Sequence, residues 1–169
     1  MELEVEKMMS IENRKFETKC GRVIWESRSV AVCAHVYAEV DGVTYVAVLR
    51  RGEKMDNGGL WCMPCGYLDW DESAEQGARR EVMEELGIEL GGLELIRIDD
   101  SPEAFKQNIT FAYRAWVDEL LELHCDGAAV GEVQDLKWMK VSEVEEHEWA
   151  FEHGVMIQRD LMGEFEGRI

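Results

Sequence analysis

Three glutamates, Glu81, Glu84 and Glu85, follow two arginines, Arg79 and Arg80, in the stretch AEQGARREVMEEL. At about 100° per residue the three carboxylates share an arc of roughly 100° on one side of a helix. Like charges at that spacing destabilise a helix by a few tenths of a kcal/mol per pair in water. The penalty grows when they are half-buried, where one carboxylate takes a proton instead. A hard divalent cation reverses the sign: Mg²⁺ favours an octahedron of oxygens, keeps several waters and completes its shell with phosphate oxygens. The chemistry that suits these residues is therefore metal-held phosphate chemistry. Arg80, one turn before Glu84, is placed to hold that carboxylate without competing for the metal. A solvated charged face, paired with Arg79 and Arg80, is the alternative that the run alone leaves open.

The helix that must carry them runs over 73–86. Ala74, Ala78, Val82 and Leu86 recur every fourth residue as its buried stripe, small at one end so that it approaches a sheet closely. Asp71 or Ser73 caps its start, and Gly87 is the small residue wanted past its end. On the N-terminal side, RSVAVCAHVYAEV and VTYVAVLRR are β-rich runs joined by Asp41-Gly42, the dipeptide of a type I′ hairpin turn. A loop over 53–59 and a short strand LWCMPCGYL ending at Gly66 lead into the helix. Beyond it, 93–98, 108–117 and 134–141 read as strands. SEVE at 142–145 reads as a capping box, and VMIQRDLM at 155–162 as a helix. Strands around a central helix predict an α+β fold, a mixed sheet between helices in an α/β/α sandwich.

At 169 residues without a Pro- or Ser-rich linker, the chain reads as one domain over 1–169, with an extension over 1–20, a core over 21–141 and a helical region over 142–169. No apolar run approaches the ~20 residues that cross a bilayer, and the start lacks a signal-peptide pattern; the expected location is the cytoplasm. The net charge of -18 disfavours long nucleic acids and anionic membranes, so an anionic substrate must be met by metal or a local basic patch. Arg50, Arg51 and Lys54 form the basic cluster nearest the loop at 53–59 and are candidate phosphate contacts. Five cysteines, an odd number without framework spacing, are expected as reduced thiols. Cys62 and Cys65 form a CxxC pair, but no second CxxC or finger-spaced His pair completes four zinc ligands.

From Gly66 to Ile88 the spacing is Gly66, five residues, Glu72, seven residues, then Arg80-Glu81-Val82-x-Glu84-Glu85-x-Gly87-Ile88. This resembles the Nudix box without a mismatch. With common residues at roughly 7% each, seven fixed and two aliphatic positions coincide on the order of once in 10⁹ starting points, which sets the charged-face alternative aside. The resemblance implies the Nudix fold and a loop–helix–loop that binds Mg²⁺ or Mn²⁺. It also implies hydrolysis of the phosphoanhydride of a nucleoside diphosphate linked to another moiety. It makes the Gly66 carbonyl, Glu81 and Glu85 metal ligands, Glu84 a further ligand or bridging group, and Glu72 and Arg80 residues that orient the helix. The family often draws one more acidic residue from a downstream loop; G131-E-V-Q-D-L-K-W138 resembles that segment and nominates Glu132, with Asp135 behind it. One departure is visible, Pro64-Cys65-Gly66 where Pro-Gly-Gly is usual.

The substrate is less legible. Pro102 and the stretch W149-A-F-E-H153 resemble features of ADP-ribose-type members, a lean toward ADP-ribose, a nucleotide sugar or a related small molecule. Trp149 and His153 equally suit packing. Tyr67, Trp70, Phe111 and Trp149 are the aromatics available to stack on a base. Alternatives are a house-cleaning hydrolase of nucleoside triphosphates or RNA 5′ ends, and a non-hydrolytic nucleotide sensor. The alternating ELEVE segment near the start suits either an edge strand of a homodimer or a frayed end.

Overall fold

The computed structural model describes residues 14–21, 23–101, 108–126 and 129–165. Arg14–Glu17 (β1) and Val23–Glu26 (β2) pair antiparallel as a separate two-stranded sheet, which straddles the boundary expected at residue 20. The ELEVE segment and Pro102 lie outside the described residues.

Ser29–Val40 (β3) and Val43–Arg51 (β4) form the expected hairpin, closed by Asp41 and Gly42 with φ of 52° and 75°. Residues 32–38 and 46–49 are buried without interruption, as in strands covered on both faces. The pair stays in register only over 37–40 and 43–46 and then splays apart. Trp61–Cys62 (β5) takes the freed edge of β4, and Cys65–Tyr67 (β6) that of β3. The segment read as a single strand is thus a corner broken at Met63-Pro64, where proline has no N–H to continue a ladder; the Pro64 carbonyl instead accepts the Ala34 N–H at 3.0 Å.

Glu94–Asp99 (β7), Asn108–Val117 (β8) and Val133–Lys140 (β9) complete a seven-stranded mixed sheet in the order β5-β4-β3-β8-β7, with β6 on β3 and β9 on β4. The β3–β8 pairing is parallel and the others are antiparallel. Ala74–Leu86 (α1) packs Val82 and Leu86 on Ala34 and Val36 of one face. His153–Leu161 (α2) packs Ile157 with Cys33 and Tyr37 of the other. This is the α/β/α arrangement that the pattern predicts. The expected capping box at 142–145 is absent: Val141–Glu146 is a 3₁₀ turn without a side-chain cap, since Lys140 occupies the cap position and Ser142 already lies inside the turn. No helix among the described residues is long and apolar enough to cross a membrane.

Candidate active site

The start of α1 is fixed by a capping box: the Gln76 N–H donates to Ser73 Oγ at 3.2 Å and the Ser73 N–H to Gln76 Oε1 at 2.8 Å. Ser73, not Asp71, is the cap. At the other end Gly87 takes φ 69°, and its N–H returns to the Met83 carbonyl. Between these stops the buried face consists of Gly77, Ala78, Glu81, Val82, Glu85 and Leu86. Two of the three glutamates therefore lie in that face, Glu81 with 9% and Glu85 with 6% of its surface exposed, while Glu84 is half-buried.

Burial is the main influence on both acids. It pushes the Glu85 carboxyl well above the usual carboxylate range, against which the Cys65 N–H, donating to Glu85 Oε2 at 2.8 Å, works only in part. Glu81 is also raised by burial, opposed by the Arg80 guanidinium. A Cβ built on Gly66 would collide with the Glu81 carboxyl group, so the absence of a side chain at 66 is what lets that carboxyl lie against the backbone. Two buried carboxyls thus come to the β5–β6 corner, Glu81 beside the Cα of Gly66 and Glu85 on the Cys65 N–H.

Arg80 reaches further than expected. Its Nη2 and Nε donate to Glu72 Oε1 and Oε2 at 2.8 and 3.1 Å, its Nη2 to the Tyr67 carbonyl at 3.1 Å, and its Nη1 to both Glu81 Oε1 at 2.8 Å and Glu84 Oε2 at 3.2 Å. Instead of holding Glu84 alone, Arg80 holds both Glu81 and Glu84. The Arg80 hydrogen bond also pulls the Glu72 carboxyl below its ordinary range. Gly77 leaves room for this clasp, since a Cβ there would meet Leu68 Cδ1 at 2.8 Å and Glu72 Oε1 at 2.9 Å. Hard oxygen donors held close, two of them buried and raised in pKa by that burial, fit a divalent ion of the Mg²⁺ or Mn²⁺ kind.

The remaining candidates scatter. Arg51 donates from Nε to the Asp56 carbonyl at 2.8 Å, with its guanidinium 4.9 Å from the centroid of Phe151, and its charge is felt at Glu85 and Cys65. Arg50 is exposed and donates to the Gly59 carbonyl of the same loop at 2.7 Å. Lys54 is exposed in the loop. Glu132 is exposed just before β9, its carbonyl accepting the Gly52 N–H at 2.7 Å; Asp135 is exposed, with its carboxylate on the Leu136 N–H. Tyr67 and Trp70 are 64% and 75% exposed beside the Arg80 clasp, whereas Phe111 packs against Val32 and Ala78. Trp149 is half-buried, with Nε1 donating to the Val144 carbonyl at 2.8 Å, and His153 is buried, its Nδ1 accepting the Met63 N–H at 3.0 Å.

Two clusters escaped the sequence reading. One is buried: Asp160 Oδ2 meets His35 Nδ1 at 2.8 Å and accepts the Tyr37 hydroxyl at 3.0 Å, and its Oδ1 accepts Arg114 Nη1 at 3.0 Å. An acid three residues after Ile157, within the apolar spacing of α2, was its only local signal. The other joins Cys62 and Cys65 to His153.

A protein-family model described as NUDIX domain matches residues 27–160. The chain is 33% identical over 92 residues to an 8-oxo-dGTP diphosphatase of Proteus vulgaris, covering 52% of this chain and 82% of that protein. The NUDIX domain of Shewanella oneidensis NrtR complexed with ADP ribose superposes with a TM-score of 0.70 at 24% identity, over 82% of this chain and 90% of that one. RenU, a Nudix hydrolase from M. smegmatis, superposes with a TM-score of 0.65 at 18% identity, over 92% and 97%. At these identities the two solved structures share the fold.

Proposed function

The chain belongs to the Nudix hydrolase family, and from that premise we propose that it hydrolyses the phosphoanhydride of a nucleoside diphosphate linked to a second moiety, with Mg²⁺ or Mn²⁺ as its metal. The observation that carries this reading is the burial of Glu81 and Glu85 at the Gly66 corner, where burial raises the pKa of both carboxyls.

In this reading the Gly66 carbonyl, Glu81 and Glu85 hold the metal and Glu84 adds a further oxygen. Glu72 fixes Arg80, and Arg80 fixes the faces of Glu81 and Glu84. A bound divalent ion supplies a lowered pKa for water and neutralises diphosphate charge. Glu132 is the acidic group assigned to take the proton of the attacking water, with Asp135 behind it. Arg51, whose charge is felt at Glu85, contacts phosphate; Arg50 and Lys54 are weaker candidates for the same task. The exposed rings of Tyr67 and Trp70 flank the entrance.

ADP-ribose or a nucleotide sugar is the preferred substrate class, supported by the stretch at 149–153 and by the likeness to a domain complexed with ADP ribose. The likeness to an 8-oxo-dGTP diphosphatase favours a nucleoside triphosphate as the second reading. Both are tested by phosphate release from ADP-ribose, nucleotide sugars, dinucleoside polyphosphates, NADH and nucleoside triphosphates, with Mg²⁺, Mn²⁺ or EDTA. Turnover of one class, abolished by EDTA and cut by about 10²-fold or more in Glu85→Gln, is the expected result. Metal-dependent binding without turnover of any of them would overturn the hydrolase assignment for these substrates in favour of a sensor.

A further inference from the structure

Beside the carboxylates, the β5–β6 corner brings a different set of donors to the start of α2. The sulfurs of Cys62 and Cys65 and a ring nitrogen of His153 all lie within 4.8 Å of one another. Cys62 and His153 are buried and Cys65 half-buried. The His153 ring is turned toward the corner, its Nδ1 accepting the Met63 N–H at 3.0 Å. The chain bends sharply to present it: Phe151 and Glu152, neither of them glycine, take φ of 55° and 62° immediately before His153. Left-handed conformations persist at such residues only where the surroundings impose them, and they gather at ligand clamps.

We propose that Cys62, Cys65 and His153 bind a borderline-soft divalent transition metal ion, zinc in kind, at a site separate from the carboxylate nest. Two sulfurs and an imidazole are the donors that such ions select, whereas Mg²⁺ and Mn²⁺ favour oxygens. Bonds of about 2.3 Å to sulfur and 2.0–2.1 Å to nitrogen put the donors of one tetrahedral shell roughly 3.5–4 Å apart, so small side-chain rotations close the set. The ion takes the place of two thiol protons, which pass to solvent. Binding through either ring nitrogen replaces the Met63 N–H bond, since Nδ1 is then either taken by the ion or protonated while Nε2 holds it. The fourth position, on the side of half-buried Cys65, is open to water or another small ligand.

The location gives the site a consequence. The Cys65 N–H holds Glu85, and Gly66 follows it directly. An ion at this corner fastens the backbone that carries both to the N-terminus of α2. Cysteine at 65, in place of the usual glycine, is then a ligand whose side chain has a task.

The test is a Co²⁺ titration of the full chain, reduced and stripped of metal, with excess Mg²⁺ present to occupy oxygen sites. The expected result is saturation at a single equivalent, with thiolate-to-cobalt charge-transfer absorption and the intense d–d bands of a tetrahedral ion, reversed by Zn²⁺. Cys62→Ser and Cys65→Ser each lose charge-transfer intensity, His153→Gln weakens Co²⁺ binding by about tenfold or more, and Cys125→Ser leaves the titration unchanged. The wild-type titration decides the matter even where a variant folds poorly. Absence of charge transfer in protein whose thiols are counted as free overturns the proposal, as does a signal that survives in both cysteine variants.

Discussion

Replacing Gly66 with alanine should damage both stability and turnover, and through one identifiable contact. The three atoms nearest the new Cβ are Oε1, Cδ and Oε2 of Glu81, and even the farthest of them lies at 2.7 Å, where ordinary contact begins at 3.4 Å. The carboxyl has to retreat by roughly an ångström, yet it is held by Arg80 Nη1 at 2.8 Å and packed in the buried face of α1. Overpacking of this kind costs about 1–3 kcal/mol, or roughly 2–12 °C in Tm for a chain of this length. Misplacing a metal ligand by about 1 Å lowers metal-dependent turnover by about 10²-fold. Thermal denaturation in EDTA and initial rates in Mg²⁺ read the two effects. The decisive comparison is a double-mutant cycle with Glu81→Ala: once the carboxyl is gone, the same Gly66→Ala change should cost less than about 0.5 kcal/mol, although turnover stays low. An equal penalty in both backgrounds would refute the reasoning, because the strain would then lie in the backbone and not against Glu81.

Two further outcomes are expected. Ser73→Ala should lower stability by about 1 kcal/mol by removing the oxygen that caps the Gln76 N–H, measured by urea denaturation; an unchanged midpoint would show the cap to be idle. For Asp160, burial acts to raise the pKa, but the His35 hydrogen bond and charge, the Tyr37 hydroxyl and Arg114 outweigh it and hold the carboxyl below its ordinary range. Its stabilisation is therefore full above the unfolded pKa of about 3.9 and is lost as pH falls through the folded value. Asp160→Asn should cost about 3–5 kcal/mol at neutral pH, and denaturation curves at a series of pH values should show the gap to wild type narrowing below about pH 4; a gap that widens in acid would refute the ion-pair account.

Local features of the fold were legible because their causes are local. Asp41-Gly42 demands positive φ at two successive residues, and Gly87 ends a helix whose apolar spacing is unbroken, so the hairpin and α1 could be read from neighbours in the chain. The corner at Met63-Pro64 was harder: its apolar residues continue through the break, and only the splaying of β3 from β4 shows why the strand must divide. Arg50 and Arg51 both spend their Nε on carbonyls of the loop that follows the strand, Gly59 and Asp56, which their spacing alone does not foretell. The His35–Asp160 contact spans 125 residues and the Met63–His153 contact 90. No spacing rule operates over such distances. CxxC looked incomplete as a metal motif because its third donor arrives from α2, on a segment whose own pattern shows only packing.

The acidity of the chain and the three glutamates on α1 raise the same question: what balances the nest before a metal arrives? Arg80 does, and the way it is anchored decides whether it obstructs the metal. Two unit charges 4 Å apart interact by about 4 kcal/mol at an effective dielectric of 20, so a guanidinium beside Glu81 and Glu84 offsets much of their mutual repulsion. Glu72 grips the Nε–Nη2 edge of Arg80 with both oxygens, and the Tyr67 carbonyl adds a further acceptor. Only Nη1 faces the nest. A divalent ion entering between the glutamates has then to compete with one N–H₂ group and not with the whole side chain, and Arg80 keeps its place when that group is displaced. The third acid, Glu85, has no such partner among the hydrogen bonds around Arg80, and it is the one that burial drives furthest toward its protonated form. In the proposed metal-binding reading, the positive charge that a divalent ion brings is needed most at Glu85, while Arg80 supplies it for Glu81 and Glu84. That division explains how one helix face carries three acids in a chain of charge -18.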